Sequence, residues 1–378
     1  MKAVIFFLIL LVSTKSFAQQ TLNQTISYGG ITREYRIYIP AIYDGSNAVP
    51  LLFNLHGYGS NNAQQEFYGD FRQIADTANF IICLPNGTFD LSNNRYWNIG
   101  FAPSNIDDVG FISTLIDVLS SEYNIDASRI YSTGMSNGGF MSYSLACQLS
   151  ERIAAIASVT GSMTISQQSN CSPTRAVPVM QIHGTNDPTV PYSGNATFLH
   201  IDTLVKNWVN RNGCSASPTV VPVADNVTTD GSTAERFNYG NCNDGSEVVL
   251  YKAYNATHTW PGASFNLGVT NMDFNASLEI WKFFLRFQHP NPLPTHVKEF
   301  TAEKNIRIYP NPSLNMLNIE TNISEKITAV VIFDLQGKQI MKTENTNNID
   351  ISALNNGVYF CNIYTENGNV VTAKWTKL

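Results

Sequence analysis

Ser132-Thr133-Gly134-Met135-Ser136-Asn137-Gly138 is the stretch whose reading decides the fold. The glycines two residues either side of Ser136 match Gly-x-Ser-x-Gly, a sharp turn that leaves a strand, enters a helix and presents a serine hydroxyl at its apex. Glycine is needed there because the serine backbone is strained and neighbouring side chains would clash. A motif this short also occurs by chance, so its flanks decide. Ile130-Tyr131-Ser132-Thr133 reads as a short buried strand and Phe140 to Leu149 as a helix, the context such a turn requires.

Outward from the turn, continuous apolar strands alternate with helices. Leu51 to Leu55, Phe80 to Leu84, Ile153 to Val159, Val177 to Ile182 and Val248 to Ala253 read as strands. Phe111, Leu115, Val118 and Leu119 mark a helix by their spacing. So do Ile201, Leu204, Val205, Trp208 and Val209, and later Ile280, Phe283, Phe284 and Phe287. Ahead of these, Ile26 to Tyr28 and Thr32 to Ile39 flank Gly29-Gly30 as a hairpin. The class is α/β: a mostly parallel sheet with helices on both faces, whose active site forms at the C-terminal strand ends.

A serine hydroxyl becomes nucleophilic only beside a base, and the base needs an orienting acid. In this fold the acid and then the histidine follow the serine. His258, in the loop after the last strand, is the candidate base, and Asp187, in the loop after Val177 to Ile182, the candidate acid. His56 and the pair Asp107-Asp108 precede the turn, the pair being placed to cap the helix of Phe111. His183 ends a strand, His200 adjoins a helix, and His289 and His296 lie in a Pro-rich segment. The oxyanion needs preorganised N–H donors. The amide of Asn137 supplies one, and the second comes from His56-Gly57-Tyr58-Gly59, with Tyr58 preferred over Gly57. Trp97, Tyr192 and Trp260 lie near these motifs as candidate pocket walls or as core.

The net charge of −6, without any basic cluster, excludes nucleic acid as a partner. Lys2, the apolar run Ala3 to Val12 and Ser16-Phe17-Ala18 read as a signal peptide over residues 1–18. The run is too short to cross a bilayer, which takes about 20 apolar residues, so a soluble exported protein without a transmembrane segment is expected. Export permits disulfides. Cys147 with Cys171 and Cys214 with Cys242 are the sequence-neighbour pairs, one of three connectivities open to four cysteines. No metal-ligand spacing occurs, and no cofactor is called for.

Residues 19–288 make the catalytic domain in this reading, 289–300 a Pro-rich linker, and 301–378 a small all-β sandwich of short alternating segments parted by Asn311-Pro312, Gly337, Asn356-Gly357 and Asn367-Gly368.

Leu55-His56-Gly57-Tyr58-Gly59, Gly134-Met135-Ser136-Asn137-Gly138-Gly139, His183-Gly184-Thr185-Asn186-Asp187-Pro188 and His258-Thr259-Trp260-Pro261-Gly262 together resemble the polyhydroxybutyrate depolymerase/feruloyl esterase family of α/β-hydrolases. The resemblance covers residues 25 to 288. It implies Ser136, Asp187 and His258 as a triad, carboxylic-ester hydrolysis through an acyl-enzyme, and disulfides Cys147–Cys171 and Cys214–Cys242. Tyr309-Pro310-Asn311-Pro312, Leu354-Asn355-Asn356-Gly357-Val358-Tyr359 and the closing Lys374 to Lys377 resemble the type IX secretion sorting domain. That implies the type IX secretion machinery as a partner and a secreted or surface-attached product. Feruloyl or acetyl esters of plant polysaccharide and polyesters such as polyhydroxybutyrate both fit as substrates. A non-catalytic polysaccharide-binding protein on the same scaffold and a peptidase are the other readings.

Overall fold

A computed structural model describes residues 19–101, 104–265, 268–292, 306–321, 327–334, 339–344, 348–365 and 370–378. The signal-peptide reading over 1–18, residues 293–300 of the Pro-rich segment and 301–305 of the sandwich lie outside these. The chain divides into two compact units, Met1–Leu293 and Pro294–Leu378.

The first unit opens with β1 (Gln20–Tyr28) and β2 (Ile31–Ile39), antiparallel across Gly29 and Gly30, whose φ values are 60° and 75°. Two successive positive φ values are what a two-residue hairpin turn needs, and glycine adopts them without strain. There follow β3 (Val49–Leu55), the two-turn helices α1 (Asn62–Tyr68) and α2 (Arg72–Ala78), β4 (Ile81–Pro85) and a minimal hairpin of β5 (Thr88–Phe89) and β6 (Arg95–Tyr96). Next come α3 (Asp108–Glu122), β7 (Ile125–Met135), α4 (Asn137–Gln148), β8 (Ala155–Val159), α5 (Ile165–Ser169), β9 (Val179–Gly184) and α6 (Ile201–Arg211). The unit closes with β10 (Thr219–Pro222), β11 (Thr233–Tyr239), β12 (Val248–Tyr254) and α7 (Ala276–Phe284).

One ten-stranded sheet runs β1-β2-β4-β3-β7-β8-β9-β12-β11-β10. Its six central strands, β4 through β12, are parallel, and antiparallel hairpins extend both edges. Alternation along the strands divides the core into two layers. Leu51, Phe53 and Leu55 of β3 face one layer with Phe111 and Leu115 of α3, Phe140 and Met141 of α4, and Leu204 and Trp208 of α6. Leu52 faces the other with Ile280, Phe283 and Phe284 of α7, where Tyr131 stacks on Phe284 at 4.7 Å and Phe80 on Trp281 at 3.7 Å.

Helices α1 and α2 and strands β10 and β11 carry no clear periodic signal, for physical reasons. Each helix is seven residues long, too short to repeat an apolar face, and β10 is exposed along its whole length. Asp107 caps α3, accepting from Gly110 N at 2.8 Å. Disulfides join Cys147 to Cys171 and Cys214 to Cys242, while Cys83 and Cys361 are buried free thiols. His289 is buried, donating its amide to Ser128 O at 2.8 Å. Among the described residues no helix is long and apolar enough to cross a membrane.

The second unit is all-β. Strands β13 (Ile306–Tyr309), β14 (Met316–Thr321) and β17 (Ile349–Asp350) form one antiparallel sheet. Strands β16 (Gln339–Thr343), β15 (Ile327–Phe333), β18 (Gly357–Thr365) and β19 (Val370–Lys377) form another. Leu317, Ile319, Val330, Ile332, Ile363 and Trp375 make its core.

Candidate active site

Ser136 stands between β7 and α4 with φ 54° and ψ −120°. This is a left-handed conformation that a non-glycine residue holds only when its surroundings enforce it. Those surroundings are close-packed backbone. A Cβ on Gly134 would lie 2.6 Å from Leu55 O, and one on Gly138 only 2.1 Å from the same oxygen. The Ser136 amide donates to Val159 O at 2.9 Å, tying the turn to β8. Helix α4 begins at Asn137, so its positive dipole end and first amides sit at the serine.

Asp187 follows β9 and His258 follows β12, so both arise at the strand ends that also bear Ser136. His258 Nδ1 and Asp187 Oδ2 are 2.7 Å apart. The Asp187 side chain is fully buried, whereas the His258 side chain keeps 18% of its surface exposed. Asp187 Oδ1 accepts from Thr189 N at 2.8 Å and Val190 N at 2.9 Å, which fixes the carboxylate plane. Burial disfavours charge on Asp187. The hydrogen bonds and attraction of His183 and His258 outweigh it and hold the carboxyl well below the usual range.

His56 is buried and braces the loop after β3. It accepts from Gly87 N through Nε2 at 2.9 Å, and its Nδ1 is 2.7 Å from Gly57 O. Desolvation pulls its pKa down to about 4, against a partly restoring bond to Gly57, so it is neutral at ordinary pH. Gly59, at φ 73°, donates to Arg95 O at 2.8 Å, and Tyr58 Oη donates to Asp90 Oδ2 at 2.5 Å. The loop is thus stitched to the β5–β6 hairpin. A Cβ on Gly57 would lie 3.4 Å from Ser136 Cβ, so this loop packs against the serine.

Asn137 has a side-chain role that sequence reasoning missed. Its Oδ1 accepts from Trp97 N at 2.6 Å and its Nδ2 donates to Trp97 O at 3.2 Å, so the residue after the serine pins the loop bearing Trp97. Trp97 is fully buried and donates through Nε1 to His56 O at 2.9 Å.

Ser136 and Asn137 line a mostly apolar cleft of about 780 Å³. Its aromatic walls include Tyr58, Tyr96, Trp97, Phe101, Phe140 and Phe198, with Phe198 bridging Phe140 at 5.1 Å and Phe101 at 5.8 Å. Of the three aromatics considered from sequence, only Trp97 lines this cleft. Tyr192 is buried, donating to Asp202 Oδ1 at 2.5 Å, and Trp260 is in the core against Phe71, donating to Ser277 Oγ at 3.2 Å. Phe101, Phe140 and Phe198 escaped notice because a wall residue and a core residue look alike in sequence.

The profile of the phospholipase/carboxylesterase family matches residues 42–212, and that of the secretion system C-terminal sorting domain matches residues 307–377. A probable feruloyl esterase C of Aspergillus niger is 31% identical over 261 residues, covering 67% of this chain and 84% of that protein. Feruloyl esterase C of Emericella nidulans is 29% identical over 260 residues, covering 67% and 84%. Feruloyl esterase B of Piromyces equi is 30% identical over 229 residues, 58% of this chain but only 41% of that longer protein. An acetyl xylan esterase from Aspergillus awamori superposes with a TM-score of 0.53 over 71% of this chain and 99% of its own, at 14% identity, and shares the fold.

Proposed function

The chain belongs to the family of these feruloyl esterases, α/β-hydrolases that cleave carboxylic esters, and we propose that it works through Ser136, His258 and Asp187 on esters of plant polysaccharide. The observation that supports this reading is the 2.7 Å contact between His258 Nδ1 and the buried Asp187 carboxylate, both in loops at the strand ends that also bear Ser136.

His258 Nε2 takes the Ser136 hydroxyl proton as Oγ attacks the ester carbonyl carbon. Asp187 holds the Nδ1–H of the imidazole and offsets the charge of the imidazolium. The tetrahedral oxyanion is received by the amides of Tyr58 and Asn137. Tyr58 is preferred over Gly57 for the first, and the Asn137 amide opens α4. The alcohol leaves with the proton from His258, and the acyl group stays on Oγ. Water, deprotonated by His258, then attacks the acyl carbon; the Oγ–acyl bond breaks, Ser136 Oγ takes the proton back from His258, and the acid is released.

The aromatic cleft beside Ser136 favours an aryl acyl group such as feruloyl over acetyl or a 3-hydroxyalkanoate. The tail is a secretion system C-terminal sorting domain, so the enzyme is secreted or attached at the cell surface. Residues 1–18 as signal peptide, and 19–288, 289–300 and 301–378 as catalytic domain, linker and sorting domain, are the organisation proposed with it.

Ser136→Ala is expected to abolish hydrolysis of a short p-nitrophenyl ester without changing the circular dichroism spectrum. Near-wild-type turnover by that variant would refute the triad. A panel of feruloyl-arabinoxylan, acetyl-xylan and polyhydroxybutyrate film is expected to give the highest kcat/KM on the first, and preferential clearing of the film would overturn the substrate assignment.

A further inference from the structure

Asp187 stands between two histidines, and only His258 enters the chemistry above. The other, His183, lies near the end of β9 and is fully buried. Its ring is locked from behind. Gln181 Nε2 donates to Gly161 O at 2.8 Å and approaches His183 Nδ1 at 2.9 Å, while Gln181 Oε1 accepts from Tyr143 Oη at 2.8 Å. A carbonyl oxygen can only accept, so Gly161 settles which end of the Gln181 amide is nitrogen. His183 Nδ1 is therefore an acceptor, and the ring proton is on Nε2. That Nε2–H lies 2.8 Å from Val190 O and 3.4 Å from Asp187 Oδ2. The N–H thus bonds the turn whose amides grip Asp187 Oδ1, and its nitrogen lies 3.4 Å from the oxygen that His258 uses.

We propose that His183 is a positioning residue for ester hydrolysis: its Nε2–H, locked by Gln181, holds the 187–190 turn and aims the Asp187 carboxylate at His258. The inference rests on the triad reading. A Tyr143–Gln181–His183 chain buried throughout adds little stability that apolar packing would not, so its value lies in orientation. Without the His183 proton, Oδ2 gives more of its charge to His258 and stabilises the imidazolium. The acid limb of kcat/KM then moves to higher pH. The other ionisable groups around the pair are Tyr192 at the His183 ring edge and, beyond it, His200, Asp202 and Lys252.

His183→Met removes the donor at similar length, and His183→Gln keeps an N–H near the original Nε2. On a soluble aryl ester, with the full chain, Met is expected to lower kcat about tenfold at unchanged KM and to raise the acid limb by about half a pH unit. Gln is expected to recover most of both. Equal kcat and an unmoved acid limb in two variants that melt like the wild type would overturn the proposal. Should neither fold, nitrogen-15 spectra of histidine-labelled wild type still decide: the Nε2–H tautomer of His183 is expected, and Nδ1–H overturns it. Ser136→Ala run alongside separates the two ideas. Activity in that variant sinks the triad itself, whereas an inactive Ser136→Ala with an unperturbed His183→Met sinks only the role of His183.

Discussion

Asp187→Asn tests the electrostatics of the site with almost no change of volume. The Asp187 carboxylate has four close partners: the amides of Thr189 and Val190 on Oδ1, and His258 at 2.7 Å with His183 at 3.4 Å on Oδ2. An asparagine keeps its oxygen on the two backbone donors, because an amide nitrogen there would face two N–H groups. Its Nδ2 hydrogens then point at His258 Nδ1, which becomes an acceptor. The His258 proton moves to Nε2, the nitrogen that receives the Ser136 proton in the proposed mechanism, and the counter-charge for the imidazolium is gone. The same swap in a serine protease triad lowers kcat about 10⁴-fold, which corresponds to about 5 kcal/mol of barrier. We expect a loss of that order in kcat at pH 7 with KM nearly unchanged, since no contact with bound ester is altered. Stopped-flow release of p-nitrophenol measures it, and circular dichroism checks the fold. A loss below tenfold in a folded variant would refute the electrostatic argument. A stability signature accompanies it. The folded-state pKa of Asp187 is depressed, so its contribution is complete above the ordinary carboxylate range and is lost as pH falls below that range. The variant is expected to lack this component of the acid-side decline in Tm.

Three further outcomes are expected. His56 has a folded-state pKa depressed to about 4, so it favours the folded state fully above its unfolded pKa of about 6.5 and loses that contribution as pH falls towards 4. An NMR titration with a His56 midpoint near 6.5 would contradict the buried, neutral assignment. Gly138→Ala drives a methyl to 2.1 Å from Leu55 O and is expected to cost about 3 kcal/mol or more in urea unfolding. Gly57→Ala, with 3.4 Å to its nearest neighbour, is expected to fold and so to serve as the control. Phe198→Ala removes the ring that bridges Phe101 and Phe140 and is expected to lower kcat/KM on a feruloyl ester about tenfold while sparing an acetyl ester. Equal losses on both esters would show that the ring supports the fold and not the acyl group.

What the sequence by itself determined is what local pattern carries. Continuous apolar strands between amphipathic helices specify a parallel sheet covered on both faces, and glycines around Ser136 specify a turn that only they permit. Chain order then places Asp187 and His258 after strands that run parallel to the one bearing Ser136, because topology in this fold assigns each strand end a position. Short elements were not legible: two-turn helices such as α1, and an exposed edge such as β10, contain too few residues to repeat a pattern. The aromatic cleft wall was hidden for a different reason. Phe101, Phe140 and Phe198 are 39 and 58 residues apart in sequence and meet only once the sheet is assembled. His183 shows the limit most plainly. In sequence it is a histidine at the end of a strand. Only the tertiary structure decides, through a Gln181 amide oriented by Gly161, which nitrogen carries its proton and that this nitrogen bonds Val190 O, 3.4 Å from Asp187.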